Sequence, residues 1–434
     1  MRESIHIIRE ESDNSNLVKG ISLIILLIPL FVSSCSDQRM QTVTWTEYEP
    51  VYMSHAEFTS AVKMKEAREI REPGKIYFYN DYLFVNEVDK GVHIIDNTDP
   101  ASPAIVGFIN IPANKDIAVK DDRLYADSHS DLLVFDITNM QEAELITRKE
   151  DVFEFSAAMH PGFPYQEVDN SQGIVVDWKP VQVETVCEGD CFPVYAQNGF
   201  LNMEASGGLQ TGSSDAGGRG GSMARFAITG DYLYAVDYKN LLSFEITSPE
   251  PSLTSEKDVG WAIETIFPYG DHLYIGSASA MYIFDITNPA VPAPMSIYSH
   301  LTACDPVVVE GHFAYVTLRT GGGCPRGANR LEVIDVKDPT NPKEVAFYEM
   351  INPHGLGIDD GRLFISEGDK GLKIMDAEDP YDIKQLRHIK EIKTFDVIPF
   401  NNVLMVTGQS GIVQYDYSDI YNVKHLSTIP VEGE

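Results

Sequence analysis

The sequence predicts an all-β chain: a seven-bladed β-propeller of four-stranded antiparallel blades, with an N-terminal signal and tether segment and a long insertion on the top face. Three observations carry that prediction. A short aromatic strand, a gap and an apolar strand ending in an acid and a turn recur at residues 82–97, 123–137, 232–246, 272–286, 313–336, 362–377 and 403–417. One acidic anchor per copy, at Asp96, Asp136, Glu245, Asp285, Asp335, Asp376 and Asp416, sets spacings of 40, 109, 40, 50, 41 and 40. Within each copy the apolar period is two, β-branched and aromatic residues dominate, and the breaks fall at Gly, Asn, Asp and Pro, which is strand and turn chemistry. A period near forty with several strands per period is the signature of a propeller.

The spacings also locate the irregularities. About 69 extra residues precede Glu245 and about 10 precede Asp335 against a repeat of roughly 40. A full blade reads as strands at 117–119, 124–126, 132–137 and 144–148. One four-stranded sheet covers neither of its faces, so neighbouring blades must bury each other and the ring must close. Residues 75–434 then form one array with an insertion at 151–222, and no second globular domain is needed, although length alone suggests two or three.

The segments GVHIID, LLVFDI, YIFDITNPAVP and LEVIDVKDPTNP resemble the LVIVD repeat, a propeller repeat of bacterial and archaeal cell-surface proteins. The likeness recurs in phase over about four fifths of the chain. It implies the fold and an extracytoplasmic address. It implies no reaction, since propellers host enzymes and binding modules alike.

The amino terminus supports the same address. Residues 21–32 (ISLIILLIPLFV) are an apolar run too short to span a bilayer but suited to a signal-peptide core. Val32-Ser33-Ser34-Cys35 follows and resembles a bacterial lipobox, which implies a signal peptide at 1–34, lipidation at Cys35 and a membrane anchor in the bacterial envelope, at the outer membrane, facing the periplasm or the surface. Glu3, Glu10, Glu11 and Asp13 depart from a basic leader, which fits a start placed too far upstream. Residues 35–74 read as a tether and adaptor: Trp45, Tyr48 and Tyr52 in an extended stretch, then a helix over 55–68 opened by a Ser54/Glu57 capping box. The other four cysteines suggest disulfides in an exported protein. Cys304 precedes the inner strand of blade 5 and Cys324 lies in that blade's second-to-third-strand loop, both on the top face, so the expected pairs are Cys304 with Cys324 and Cys187 with Cys191.

A formal net charge of −32 argues against nucleic acid as a partner, because nothing offers a basic stripe. No phosphate loop, dinucleotide fingerprint, HExxH, GxSxG or EF-hand pattern occurs. The Gly-rich run at 207–221 reads as a flexible loop. The repeated Asp reads as an Asx-turn acceptor leading into the outer strand, with Glu245 a departure.

Residues at the starts of the inner strands converge on the top mouth of the channel: Lys75, Lys115 or Asp116, Arg225, Glu264, Asp305, His354 and Asp396. Such a ring is a candidate ligand site, and its alternative is a self-paired polar channel. Glu264, Asp305 and His354 are the candidates for a divalent cation or for acid and base roles, with no cofactor otherwise expected. The insertion, with Phe153, Phe155, Phe163, Tyr165, Trp178, Phe192 and Tyr195, reads as a lid or platform over that mouth, and residues 174–176 with 181–186 as an outer hairpin. Two functions stand: a non-catalytic envelope lipoprotein that binds an envelope protein or glycan through its top face, and a metal-assisted hydrolase or lyase acting on an envelope glycan or polymer at the channel mouth.

Overall fold

The computed structural model describes residues 40–154, 168–188, 219–260, 262–300, 306–320 and 328–432. The chain divides into two compact units, residues 46–182 with 194–434 and residues 1–45 with 183–193. The first holds seven antiparallel sheets, at 73–110, 117–149, 226–258, 263–299, 307–349, 356–389 and 394–430, which are blades 1 to 7. In each, the strands follow chain order from the axis outward, and each inner strand from blade 1 to blade 7 lies against the inner strand of the next blade.

The strand ends obey local chemistry. In four blades the first turn is a two-residue Asn/Asp/Gly pair with both φ positive, Asn80-Asp81, Asp121-Asp122, Asp360-Gly361 and Asn401-Asn402. That mirror-image turn matches the twist of the strands it joins. The repeated acid sets the next turn: Asp96, Asp136, Asp285, Asp335, Asp376 and Asp416 each accept the N–H two residues on, at 2.7–3.2 Å. Glu245 does not close this turn; its longer side chain meets only the Thr247 hydroxyl, at 3.2 Å.

All seven outer strands carry a bulge at the same place, their third residue. The residue after the bulge faces the next blade. Thr147, Ser296 and Ser427 donate their hydroxyls to the carbonyls of Pro249, Pro339 and Pro100, at 2.9, 2.6 and 2.7 Å. The turn proline is therefore an acceptor that latches one blade to the next, and the Ser427 latch joins blade 7 to blade 1.

Closure of the ring otherwise rests on packing. Ile76, Leu83, Val85 and Ile95 of blade 1 share a core with Ile398, Met405 and Ile412 of blade 7, and Asn97 and Gln414 exchange two amide hydrogen bonds, at 3.0 and 2.6 Å. Blade 7 supplies all four of its own strands from 394–430, and the N-terminal segment adds one parallel bridge, Ile70 to Val431.

The adaptor differs from its sequence reading. The Ser54/Glu57 capping box is present, but the helix covers only His55–Ala61. Val62 turns extended, and Lys63–Lys65 pairs with the outer strand of blade 1, burying Val62 and seating Met64 against the core. Burial as a strand outweighs the helix propensity of the lysines and glutamates that follow. The outer hairpin expected within 174–186 is likewise replaced by one strand, Ile174–Glu188, paired with Met40–Met53. The intervening Asp177-Trp178-Lys179-Pro180 holds none of the Gly or Asn residues that a tight reversal needs.

Candidate functional site

Links between blades and loops between second and third strands share the top face, and there the inner strands begin. Lys75 and Asp116 are buried and paired, Nζ to Oδ2 at 2.8 Å. The same Oδ2 accepts the backbone N–H of Phe226, at 3.1 Å, and that of Arg225; Oδ1 accepts Ile117 N–H at 2.8 Å. Blades 1, 2 and 3 are thus tied at one carboxylate. Desolvation lowers the Lys75 pKa, and the charge of Asp116 opposes it. Of the two residues that sequence left open at this position, Asp116 faces the ring. Lys115 turns to Asp89, Nζ to Oδ1 at 2.7 Å.

Asp396 lies in the same ring on blade 7, fully buried, its carboxyl met by the Val397 N–H and, among the described residues, by no side-chain donor. Burial raises its pKa well above the carboxylate range, with Lys75 as the opposing charge. It packs on Gly355, where a Cβ would sit 2.2 Å from Oδ1, so any other residue there would have to displace the carboxyl. His354 is buried beside Phe395; its peptide N–H donates to Ser366 O at 2.7 Å and its carbonyl accepts the Thr317 hydroxyl at 2.7 Å. Burial first, then Arg319 and Lys393, push its pKa down to about 3, so the ring is neutral. Two cations beside it disfavour a metal ion. Glu264 is half-buried on the inner strand of blade 4. Asp305 lies outside the described residues, as do Cys35, Cys191, Cys304 and Cys324; Cys187 stands near the end of the strand Ile174–Glu188. Among the described residues, no three His, Cys, Asp or Glu side chains converge as a metal site.

The end of the insertion enters the axis, which sequence reasoning missed. Arg219–Gly220 pairs with Phe78 and Tyr77 as a strand inside the innermost strand of blade 1. Buried Ser222 then accepts Leu356 N–H of blade 6 at 3.2 Å, and the Ala224 carbonyl accepts Ile266 N–H of blade 4 at 2.8 Å. Residues 219–224 therefore cross the channel, so the described end of the expected flexible glycine run is built into the fold. The available signal was size: Gly220, Gly221 and Ser222 are small enough for a crowded axis.

One concavity lies off-axis, on top of blades 1 to 3. A cavity of about 60 Å³ is roofed by residues 175–178 of the insertion and floored by Ala113, Phe226 and Val236. Its walls bring Asp89, Lys115, Asp127, His129 and Asp237 together with Phe153 and Trp178. Asp127 accepts the Lys115 and Asp116 N–H groups at 2.7 and 2.9 Å, and Asp237 accepts those of Lys239 and Asn240 at 2.9 and 2.7 Å. Burial raises the Asp127 pKa and lowers that of His129. The roof is held by the Lys90–Asp177 ion pair and by Val176 on Phe58 and Ala113. The space is large enough to hold water, and apolar side chains make up a substantial part of its lining.

A closed ring of four-stranded blades, with its loops elaborated on one face, defines the chain as a seven-bladed β-propeller. It carries LVIVD repeats: the LVIVD repeat model matches residues 72–110, 265–300 and 302–349, which are blades 1, 4 and 5 with their approaches. No curated protein matches in sequence. Solved structures share the shape at low identity. A Lactobacillus plantarum protein is 12% identical over 83% of this chain and 97% of that one, with a TM-score of 0.52. A functionally unknown protein from Desulfotomaculum acetoxidans is 9% identical over 83% and 98%, with a TM-score of 0.50. A chain in the mitotic checkpoint complex is 8% identical over 84% and 92%, also at 0.50. These likenesses concern the fold alone. Among the described residues, no helix is long and apolar enough to cross a membrane.

Proposed function

We propose that the protein is a non-catalytic binding scaffold of the bacterial cell envelope, lipid-anchored at Cys35, which recognises an envelope protein or glycan through its top face. The observation that carries the reading is the one-sided elaboration of the ring. The insertion leaves on the top face, roofs blades 1 to 3 at residues 175–178, and its described end rises along the axis from Arg219, beside Phe78, to reach the top face at Ser222, whereas the turns on the other face are short. Loops of that length held on a rigid scaffold are where recognition is built. The apolar run at 21–32 followed by Ser33-Ser34-Cys35 supports the anchor.

The test is site-specific photo-crosslinking in cells, with a benzophenone amino acid at Trp178 on the top face or at Tyr421 on the opposite one. The reading expects a discrete adduct from position 178 and none from 421; adducts only from 421, or from neither, would refute it. Cys35→Ala should shift the protein from the membrane to the soluble fraction, and unchanged fractionation would remove the anchor.

A further inference from the structure

The outer edge of blade 4 is built differently from the other six. Outer strands at sheet edges offer unpaired backbone groups, and proteins guard them with charge or cover. The outer strands of blades 2, 3, 5, 6 and 7 all carry charged residues, and that of blade 1 is covered by Lys63–Lys65. The blade 4 strand, Ala293–Ser299, reads Ala-Pro-Met-Ser-Ile-Tyr-Ser, with no charge. Among the described residues no strand pairs with its far side. Ile297 in its middle is 62% exposed.

Beside this edge runs a groove of about 500 Å³. Ile297 and Pro294 stand opposite Tyr282 and Phe284 on the neighbouring strand, and these four line one wall. Lys257, Asp258 and Val259 of blade 3 form the other. An open edge for main-chain hydrogen bonds, next to a pocket for an alternate side chain, is the pair of elements that strand addition uses.

The chain itself shows how such an edge is filled. Lys63-Met64-Lys65 pairs antiparallel with Asn110, Ile109 and Phe108 of blade 1. Met64 packs on the core, and Lys65 Nζ reaches Asn110 Oδ1 at 2.5 Å.

We propose that the blade 4 edge receives an extended segment of a partner protein as a fifth strand, with an aliphatic side chain in the groove and Lys or Arg on either side of it. Charge selects this occupant. Glu256 and Asp258 against Lys257 on blade 3, and Glu344 and Glu349 against Lys343 on blade 5, leave each strand flanking the uncharged one with a net charge of −1, and the chain carries a net charge of −32. A second copy would bring the same negative charge to the edge, whereas a basic segment is attracted to it. This surface lies on the rim, so it stands or falls independently of the top-face reading.

The test is fluorescence anisotropy of a labelled peptide alternating Lys and Ile, with a peptide alternating Glu and Ile as control, on the full chain and on two variants. Ile297→Lys charges the blade 4 edge, and Leu145→Lys charges the edge of blade 2; both residues are exposed. Saturable binding of the basic peptide, weakened about tenfold or more by Ile297→Lys and unaffected by Leu145→Lys, is expected for one lost aliphatic anchor plus charge repulsion. Hydrogen exchange should slow at 293–299 when the peptide is added. Equal weakening by both variants would mean diffuse attraction to an acidic surface and overturn the proposal. So would absence of binding by the unmodified chain, or a dimer in solution that Ile297→Lys dissociates, which would put a second copy on the edge.

Discussion

Asp116→Ala should be among the most damaging single substitutions in the ring. The carboxylate accepts four donors: Lys75 Nζ at 2.8 Å, Phe226 N–H at 3.1 Å, Ile117 N–H at 2.8 Å and Arg225 N–H. Alanine leaves three peptide N–H groups and one ammonium without their acceptor in a site that is 2% exposed. An unsatisfied buried N–H costs about 1–3 kcal/mol and a broken buried ion pair about 3–5 kcal/mol, and these overlap through relaxation, so the expected loss is about 4–6 kcal/mol. Lys75→Met separates the contributions. It removes one donor but leaves three, and it relieves the burial of an ammonium whose pKa desolvation already lowers, so its cost should be only about 1–2 kcal/mol. Urea unfolding followed by tryptophan fluorescence and circular dichroism measures both. A loss below about 1.5 kcal/mol for Asp116→Ala, or a Lys75→Met cost equal to it, would refute the argument that backbone donors, rather than the ion pair, make Asp116 the tie between blades.

Three further outcomes follow from the same geometry. His354 has a folded pKa of about 3 against an ordinary 6.5, so the unfolded chain takes up a proton that the folded chain refuses; its contribution to stability is complete above pH 6.5 and is lost as pH falls towards 3. His354→Gln should therefore flatten the fall in urea midpoint on acidification, and an unchanged slope would assign that fall to other groups. Glu245→Asp should restore the turn made in the other six blades and raise stability by about 0.5–1 kcal/mol in the same unfolding assay; a lower midpoint would contradict the Asx-turn account. Gly411 sits at φ 114°, and a Cβ there would lie 2.0 Å from the Ile429 carbonyl oxygen. Gly411→Ala should cost more than about 2 kcal/mol and lower the melting temperature, whereas a neutral result would mean that the outer strand of blade 7 yields.

What the sequence by itself determined was everything that repeats. Seven copies in phase disclosed the blades, the insertions and the turn role of Asp96 and its equivalents, because strand alternation and Asx chemistry are local and act wherever the residues occur. Adaptor and insertion were less legible. The capping box at Ser54 marked a helix start, yet the end was set by the outer edge of blade 1, which captured Lys63–Lys65 from another part of the fold. Tertiary structure alone decided which ring residues meet, since alignment of inner strands ranks Lys115 and Asp116 equally and only the pleat turns one inward and the other to Asp89. It also decided that Ser222 occupies the axis, that the turn prolines accept blade-to-blade hydrogen bonds, and that of the two uncharged outer strands the blade 1 strand is covered by Lys63–Lys65 while the blade 4 strand lies open beside a groove. The axis contact and the Thr147 and Ser427 latches join residues more than a hundred positions apart, and the groove exists only where two finished blades meet, so no local pattern encodes them.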